Sequence, residues 1–431
     1  MLNLDSTVDL GIDAGKTPEQ LCAERAKRMQ DAIELKVPDR IPITLMFSYM
    51  LAEMGGVTKL TLHEDPELGQ QLLEKAALYF QPDNASGVFG IGGPQLSRIL
   101  GDKMMKWPGY GLGPDDTFQF VEGEYMKVED YEPFLLDPGD WSIRTLWPRV
   151  SERLEGLSLL PHLGTAFGGL AYSNFFGAFS HPKFQEAVMV LKEAADYNMQ
   201  AFARSMEYQK RMEALGFPPG VFASAGFASA PFDAMSDTLR GMRGIMLDMH
   251  KRPDMLLEAI DKMRQIITRD TIAACKAFGL KYAGSMLHRG SDGFMSLKQF
   301  ETFYWPSAKQ MWLDLIDAGI TPLIFYEGIW DQRLDYVAEL PKGKTISMWQ
   351  SSDIFRVKEK VGDKMCIMGG MPNSMLHEGT VDEVRDWTRQ LCEKVGKDGG
   401  FMMGTAIGEL EGCQPELVKA WVDATKEFGQ Y

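Results

Sequence analysis

A single α/β barrel, built from eight parallel strands alternating with helices, is the fold this sequence predicts, on three observations. Short apolar runs of strand type alternate with long amphipathic runs of helical type. The alternation recurs eight or nine times, which favours closure into a (β/α)₈ barrel over an open sheet. No Gly/Ser or Pro-rich linker divides the 431 residues, and barrels with insertions use such a length as one unit.

Residues 1–39 are expected to form an arm and a helix. Thr17 followed by Pro18 is a helix start signal, Leu21, Ala26, Met29 and Ile33 follow at helical spacing, and Pro38 ends the run. The barrel is expected over 40–431, with the first strand at Arg40–Phe47. Further strand-like runs lie near 85–91, 157–163, 221–227, 281–287, 321–326, 344–349, 365–369 and 401–407. Helical patterns occupy 66–80, 182–215, 236–250, 254–278, 296–318, 353–361, 380–396 and 414–427. The least regular stretch, 102–156, reads as an insertion that is either a lid or an ordered surface excursion.

Forty-five basic against sixty acidic residues give a net charge of −15, which argues against nucleic acid or an anionic membrane as partner. No apolar run of membrane-spanning length occurs, and the N-terminus lacks the basic-then-apolar pattern of a signal peptide. A cytoplasmic protein is expected. The five cysteines, Cys22, Cys275, Cys366, Cys392 and Cys413, are scattered without a Cys-x-x-Cys pair, which suits a reducing compartment and excludes a zinc ribbon. Twenty-eight methionines imply either an adaptable core or a wide apolar cavity.

The segment 320–333 is the most informative. Leu323, Ile324 and Phe325 suit a strand covered on both faces, which then delivers Glu327 to its C-terminal end, where Gly328 permits a sharp turn. Two more candidate ligands follow strands, His288 after KYAGSML and Cys413 after FMMGTA. Imidazole, carboxylate and thiolate together suit a zinc ion held by three protein ligands. The structural alternatives are a hydrogen-bonded loop histidine, a buried thiol, and an ion pair from Glu327 to Arg289 or Arg333. Asp233, after the strand near 221–227, is a substrate or proton contact or a helix cap. Asp353 in Gln350-Ser-Ser-Asp353 reads more simply as a cap than as a base. Dinucleotide, P-loop, nucleophile-elbow and HExxH motifs are missing from the sequence.

Several blocks, taken in order, resemble one superfamily: ERAKRMQDAIELKVPDRIPI, the Ser-Ala-Pro-Phe block at 229–232, FYWPSAKQMWLDLIDAGITPLIFYEG, KEKVGDKMCIMGGMPNSMLHEGTVDEVRD, and the terminal GGFMMGT with PELVKAWVDA. They look like the uroporphyrinogen decarboxylase superfamily from about Ala23 to Thr425. The resemblance implies a (β/α)₈ barrel with its site at the C-terminal strand ends. True decarboxylases of the superfamily carry an arginine-rich motif near the first strand that binds the porphyrinogen carboxylates. Here the stretch is Thr44-Leu-Met-Phe-Ser-Tyr-Met-Leu-Ala52, without an arginine, so an octacarboxylate substrate is not expected.

The corrinoid-dependent methyltransferase branch instead has His-x-Cys-Gly at the end of the 321–326 strand and a Pro-Gly-Cys turn after the last strand. This chain has Phe325-Tyr326-Glu327-Gly328 and Glu411-Gly412-Cys413. The resemblance therefore implies a methyltransferase moving a methyl group between a small methylated substrate, such as a methyl ether, and a corrinoid carried by a partner protein. Glu327 is expected as acid or zinc ligand, assisted by His288 and Cys413, with Asp233, Tyr326, Asp331 and Gln350 as substrate contacts. Tyr304, Trp305, Phe325, Tyr326 and Trp330 would form an apolar wall. Two other readings stay open: a metal-independent decarboxylase or lyase whose substrate carboxylate is held by Arg289 or Arg333, and an inactive barrel subunit. A homodimer is an open expectation for its assembly.

Overall fold

The computed structural model describes residues 13–87, 92–165, 171–222 and 225–431. Eleven strands are present among them: β1 (Thr44–Met46), β2 (Asn84–Ser86), β3 (Met105–Pro108), β4 (Gly111–Leu112), β5 (Gln119–Phe120), β6 (Ala225–Phe227), β7 (Tyr282–Leu287), β8 (Thr321–Tyr326), β9 (Ile346–Trp349), β10 (Cys366–Met371) and β11 (Phe401–Thr405). β11-β10-β9-β8-β7-β6 form one sheet in that order, and every pair in it is parallel. β1 and β2 pair in parallel, and parallel bridges Ile43↔Met403 and Met46↔Glu409 attach β1 to the β11 edge. The result is a mixed α/β fold with eight parallel strands in sequence, β2 and β6 at its two ends.

Side chains alternate across each strand, which divides the core in two. Leu323, Ile346, Met348, Cys366, Met368 and Met402 point to the inner face, with Phe325 and Tyr282 packed against them. Ile324, Tyr326, Trp349 and Ile367 point outward against the helices. Helix Pro18–Ile33 starts at a Thr17/Gln20 capping box and inserts Met29, Ala32 and Ile33 into the inner cluster beside the first residues of β8, β9 and β10. It therefore plugs the N-terminal ends of the strands and leaves the C-terminal ends as the mouth. Its buried Arg28 and the neighbouring Arg40 both pair with Asp83, which is fully buried. These cations are structural.

Most expected elements stand within one or two residues of their predicted bounds, including helix Pro66–Phe80 and β8. One expectation is corrected. The run 157–163 is not a strand: Glu152–Leu159 and Leu163–Thr165 are 3₁₀ turns. Leu154, Leu157 and Leu160 recur every third residue, the period of a 3₁₀ helix, and pack on Phe184, Ala187, Val190 and Ala194 of helix Pro182–Ala214. The insertion 102–156 is made of short elements. It holds the small sheet β4-β3-β5 and buries Met126, Tyr131, Phe134 and Trp141 in the main core. It is also tied to both sides of the mouth: Thr117 donates to Glu411 at 2.8 Å, and Arg240 donates to Glu124 at 2.7 Å. The strand expected at 85–91 is described only as β2, and part of the one at 221–227 lies outside the described residues, as do residues 1–12 of the arm.

Candidate active site

Four strand ends converge on one group of side chains. β7 ends in Leu287 and delivers His288, β8 delivers Glu327, and β9 delivers Gln350. The β6 strand leads into helix Pro231–Met235 and the π-turn Ser236–Arg240, which bring Asp233 and Asp237, four residues apart, to the same side. Asp237 was not singled out from the sequence; its spacing from Asp233 is the signal that points to it.

His288 stands between two carboxylates. Its Nδ1 lies 2.6 Å from Asp237 Oδ2, and its Nε2 lies 3.3 Å from Glu327 Oε2. The hydrogen bond with Asp237 is the main cause that raises its pKa, to about 9, with Asp237, Asp233 and Glu327 adding charge attraction against the effect of burial. At neutral pH it is an imidazolium. Asp233, 2% exposed, holds this loop from below, accepting from the backbone amides of His288 at 2.9 Å and Arg289 at 3.1 Å. The Tyr304 hydroxyl donates to the same carboxylate at 2.7 Å. Burial and then the neighbouring Asp237 push the Asp233 carboxyl up, to about 7. Asp233 therefore positions His288 through its backbone.

Glu327 is fixed by its own loop. The turn needs Gly328, whose φ is +78°, and the Gly328 amide donates to Gln350 Oε1 at 2.6 Å. The Trp330 indole donates to the Glu327 carbonyl at 2.8 Å, while the Trp330 amide donates to Ser352 Oγ at 2.8 Å. The carboxylate itself is 44% exposed, so it faces the mouth. The ion pairs weighed for it go elsewhere: Arg289 Nε donates to Asp237 at 3.0 Å, and Arg333, 1% exposed, lies 3.6 Å from Asp292. Asp353 accepts from the Phe355 amide at 2.9 Å as the cap of helix Ile354–Val361.

The remaining predicted residues take other places. Tyr326 and Trp330 are fully buried on the outer side of the sheet, where Tyr326 stacks on Trp349 at 4.1 Å. Tyr304 and Trp305 join the same outer cluster, so of the expected aromatic wall only Phe325 faces inward. Asp331 lies 3.7 Å from Arg356. Arg333 donates to the Met295 carbonyl at 2.7 Å and lies over the Phe300 ring.

Cys413 is buried at the β11 end, its Sγ 3.9 Å from Asn373 Nδ2, and burial pushes its thiol up to about 12. The structure does not gather His288, Glu327 and Cys413 into a ligand set. Among the described residues no group of three or more His, Cys, Asp or Glu side chains is placed to hold a metal ion. The donor set does not fit zinc.

Eight parallel strands with an acid and two carboxylates at their C-terminal ends define an enzyme-type α/β fold whose site lies where such folds place it. The chain belongs to the uroporphyrinogen decarboxylase (URO-D) family, whose model matches residues 179–428. It is similar to uroporphyrinogen decarboxylase of Methylococcus capsulatus, 22% identical over 220 residues that cover 47% of this chain and 59% of that protein. The enzyme of the same name from Pseudoalteromonas translucida is 32% identical over 76 residues, covering 18% of this chain and 21% of the relative. The chain thus spans less than two thirds of the length of these curated relatives. A solved methyltransferase from Methanosarcina mazei shares the fold with a TM-score of 0.59 at 15% identity, over 94% of this chain and 98% of that one. No described helix is long and apolar enough to cross a membrane.

Proposed function

We propose that this chain is a methyltransferase that moves a methyl group from a small methylated substrate to a corrinoid carried by a separate protein. The observation that carries this reading is the His288 imidazolium, held by Asp237 at 2.6 Å and facing Glu327 at 3.3 Å at the open mouth. Breaking a bond between methyl and oxygen leaves the electron pair on oxygen, and a positioned acid that protonates it raises the rate by a factor of about 10² to 10⁴. His288 Nε2 gives that proton, Glu327 aligns it, and Asp237 stabilises the charge before transfer. Gln350 and Gly328 hold the Glu327 loop. A reduced corrinoid, when bound, supplies the nucleophile that takes the methyl group. Half-exposed Glu327 and the exposed Ile329 and Ile407 beside the strand ends suit a face open to a docked partner.

The barrel is read as closed. A Cβ at Gly220 would lie 1.7 Å from the Asn84 side chain, so the chain leading to β6 presses against β2. Arg28 and Arg40 near the first strand are paired with Asp39 and Asp83, which leaves neither for the carboxylates of a porphyrinogen. Localisation in the cytoplasm and a corrinoid partner are part of the same reading. The test is incubation with a reduced corrinoid protein and a panel of methyl ethers, amines and thiols, following the corrinoid absorbance. Methylation from one donor class, abolished by His288→Gln, is expected. Carbon dioxide release from a small acid without any methylation would replace this reading with the decarboxylase.

A further inference from the structure

The inner face directly beneath the acid is a row of thioethers. Strand register places Met286 beside Phe325, Phe325 beside Met348, Met348 beside Met368, and Met368 beside Met402. Residues in register on parallel strands share a face, and four of the five belong to the inner cluster. Met368 and Met402 are fully buried, Met348 is 4% exposed, and Met286 and Phe325 are half-buried. The part of the row open to the mouth is therefore Met286 and Phe325, with Met348 as its buried edge. Half-buried Met46 joins it from β1. The methyl carbons of Met46 and Met348 would lie 2.9 Å and 3.1 Å from a Cβ at Gly408, so both thioethers close on a residue that offers no side chain.

We propose that this row is the floor of the substrate site, which takes the flat apolar ring of a neutral aryl methyl ether. The proposal rests on the methyltransferase reading and names its substrate class. Adjacent strands are about 4.8 Å apart, so Met286, Phe325 and Met348 span about 10 Å, the width of one substituted benzene ring. His288, Glu327 and Gln350 each stand two residues beyond a floor residue, about 6.6 Å further along the strands. A ring lying on the floor thus presents its methoxy oxygen at the level of His288 Nε2 and Glu327. Thioethers make favourable contacts with ring edges and adapt to substituents. The site offers no surplus charge for a cation, since Asp237 is shared by His288 and Arg289 and Glu327 faces His288.

In the reaction the methyl–oxygen bond breaks, the methyl group passes to the reduced corrinoid, the electron pair stays on the aryl oxygen, and His288 supplies the proton that completes the phenol.

Calorimetric titration of the full chain with 2-methoxyphenol, catechol, methanol and tetramethylammonium, without corrinoid, tests the floor apart from turnover. Saturable binding of both phenols and neither of the others is expected, weakened about tenfold in Met286→Gln and Met348→Gln. Met286→Leu, with circular dichroism on every variant, separates this loss from misfolding and should keep the affinity. Binding of tetramethylammonium instead, or phenol affinity unchanged in both glutamine variants, overturns the proposal. Phenol binding with no methyl transfer to any corrinoid protein would overturn the proposed function and leave the floor standing. Methyl transfer from methanol alone, with no phenol binding, would do the reverse.

Discussion

Replacing Asp237 with Asn tests the electrostatics on which the site depends. In the intact protein Asp237 is the main cause holding His288 above its ordinary 6.5, at about 9. Each pH unit corresponds to about 1.4 kcal/mol. The imidazole is 36% exposed and solvent screens such pairs, so the expected drop in the variant is about 1 pH unit rather than the whole rise. The histidine ring-proton NMR signal that disappears in His288→Gln reports the midpoint in both proteins. A group whose folded pKa is raised adds stability that is fully present below its unfolded value near 6.5 and is lost as pH rises through about 9. The variant should therefore be less stable to urea at pH 6, and the gap should narrow above pH 9. A His288 midpoint near 6.5 in the unaltered protein, or one that Asp237→Asn does not move, would refute the reasoning.

Four further outcomes are expected. Glu327→Gln should keep the melting temperature while lowering kcat for the methyl donor by a factor of about 10² or more, read by the corrinoid absorbance assay. Arg40→Ala removes one of two cations on fully buried Asp83 and should cost about 3–5 kcal/mol in urea denaturation. Asp83 is held down at about 2 against its burial by Arg40 and Arg28, so its contribution is present above pH 4 and is lost as acid approaches pH 2. Gly328→Ala forces a side chain into φ +78°, with its Cβ 3.3 Å from Ser291; it should destabilise by about 1–2 kcal/mol and reduce activity further by moving Glu327. Cys413, its thiol raised to about 12, should resist alkylation at pH 8 in the folded protein, and Cys413→Ser should leave zinc content unchanged by elemental analysis.

Much of the fold was legible because its signals are local. The 321–326 run, Gly328 with its turn, the Thr17 cap, the Asp353 cap and the helix at 66–80 follow from spacing and turn chemistry within a few residues. The run 157–163 misled for the same reason: leucines every third residue beside a Pro look like a strand until a long helix packs against them. His288 and Glu327 were legible as strand-end residues, and the structure brings them together. Asp237 was missed because its importance comes from a histidine 51 residues away. Cys413 was grouped with them on ligand type alone, but its neighbour is Asn373, at the start of the helix after β10.

The methionine content illustrates the division most directly. Twenty-eight methionines admitted both an adaptable core and an apolar cavity, and the sequence could not choose. Alternation within a strand determines which residues share a face, a property of the backbone itself and visible in one dimension. Register between strands is decided by packing and hydrogen bonding across the whole sheet, at sequence separations of tens of residues. That tertiary choice aligned Met286, Phe325, Met348, Met368 and Met402 beneath His288 and Glu327, and sent Tyr326 and Trp330 to the outer core.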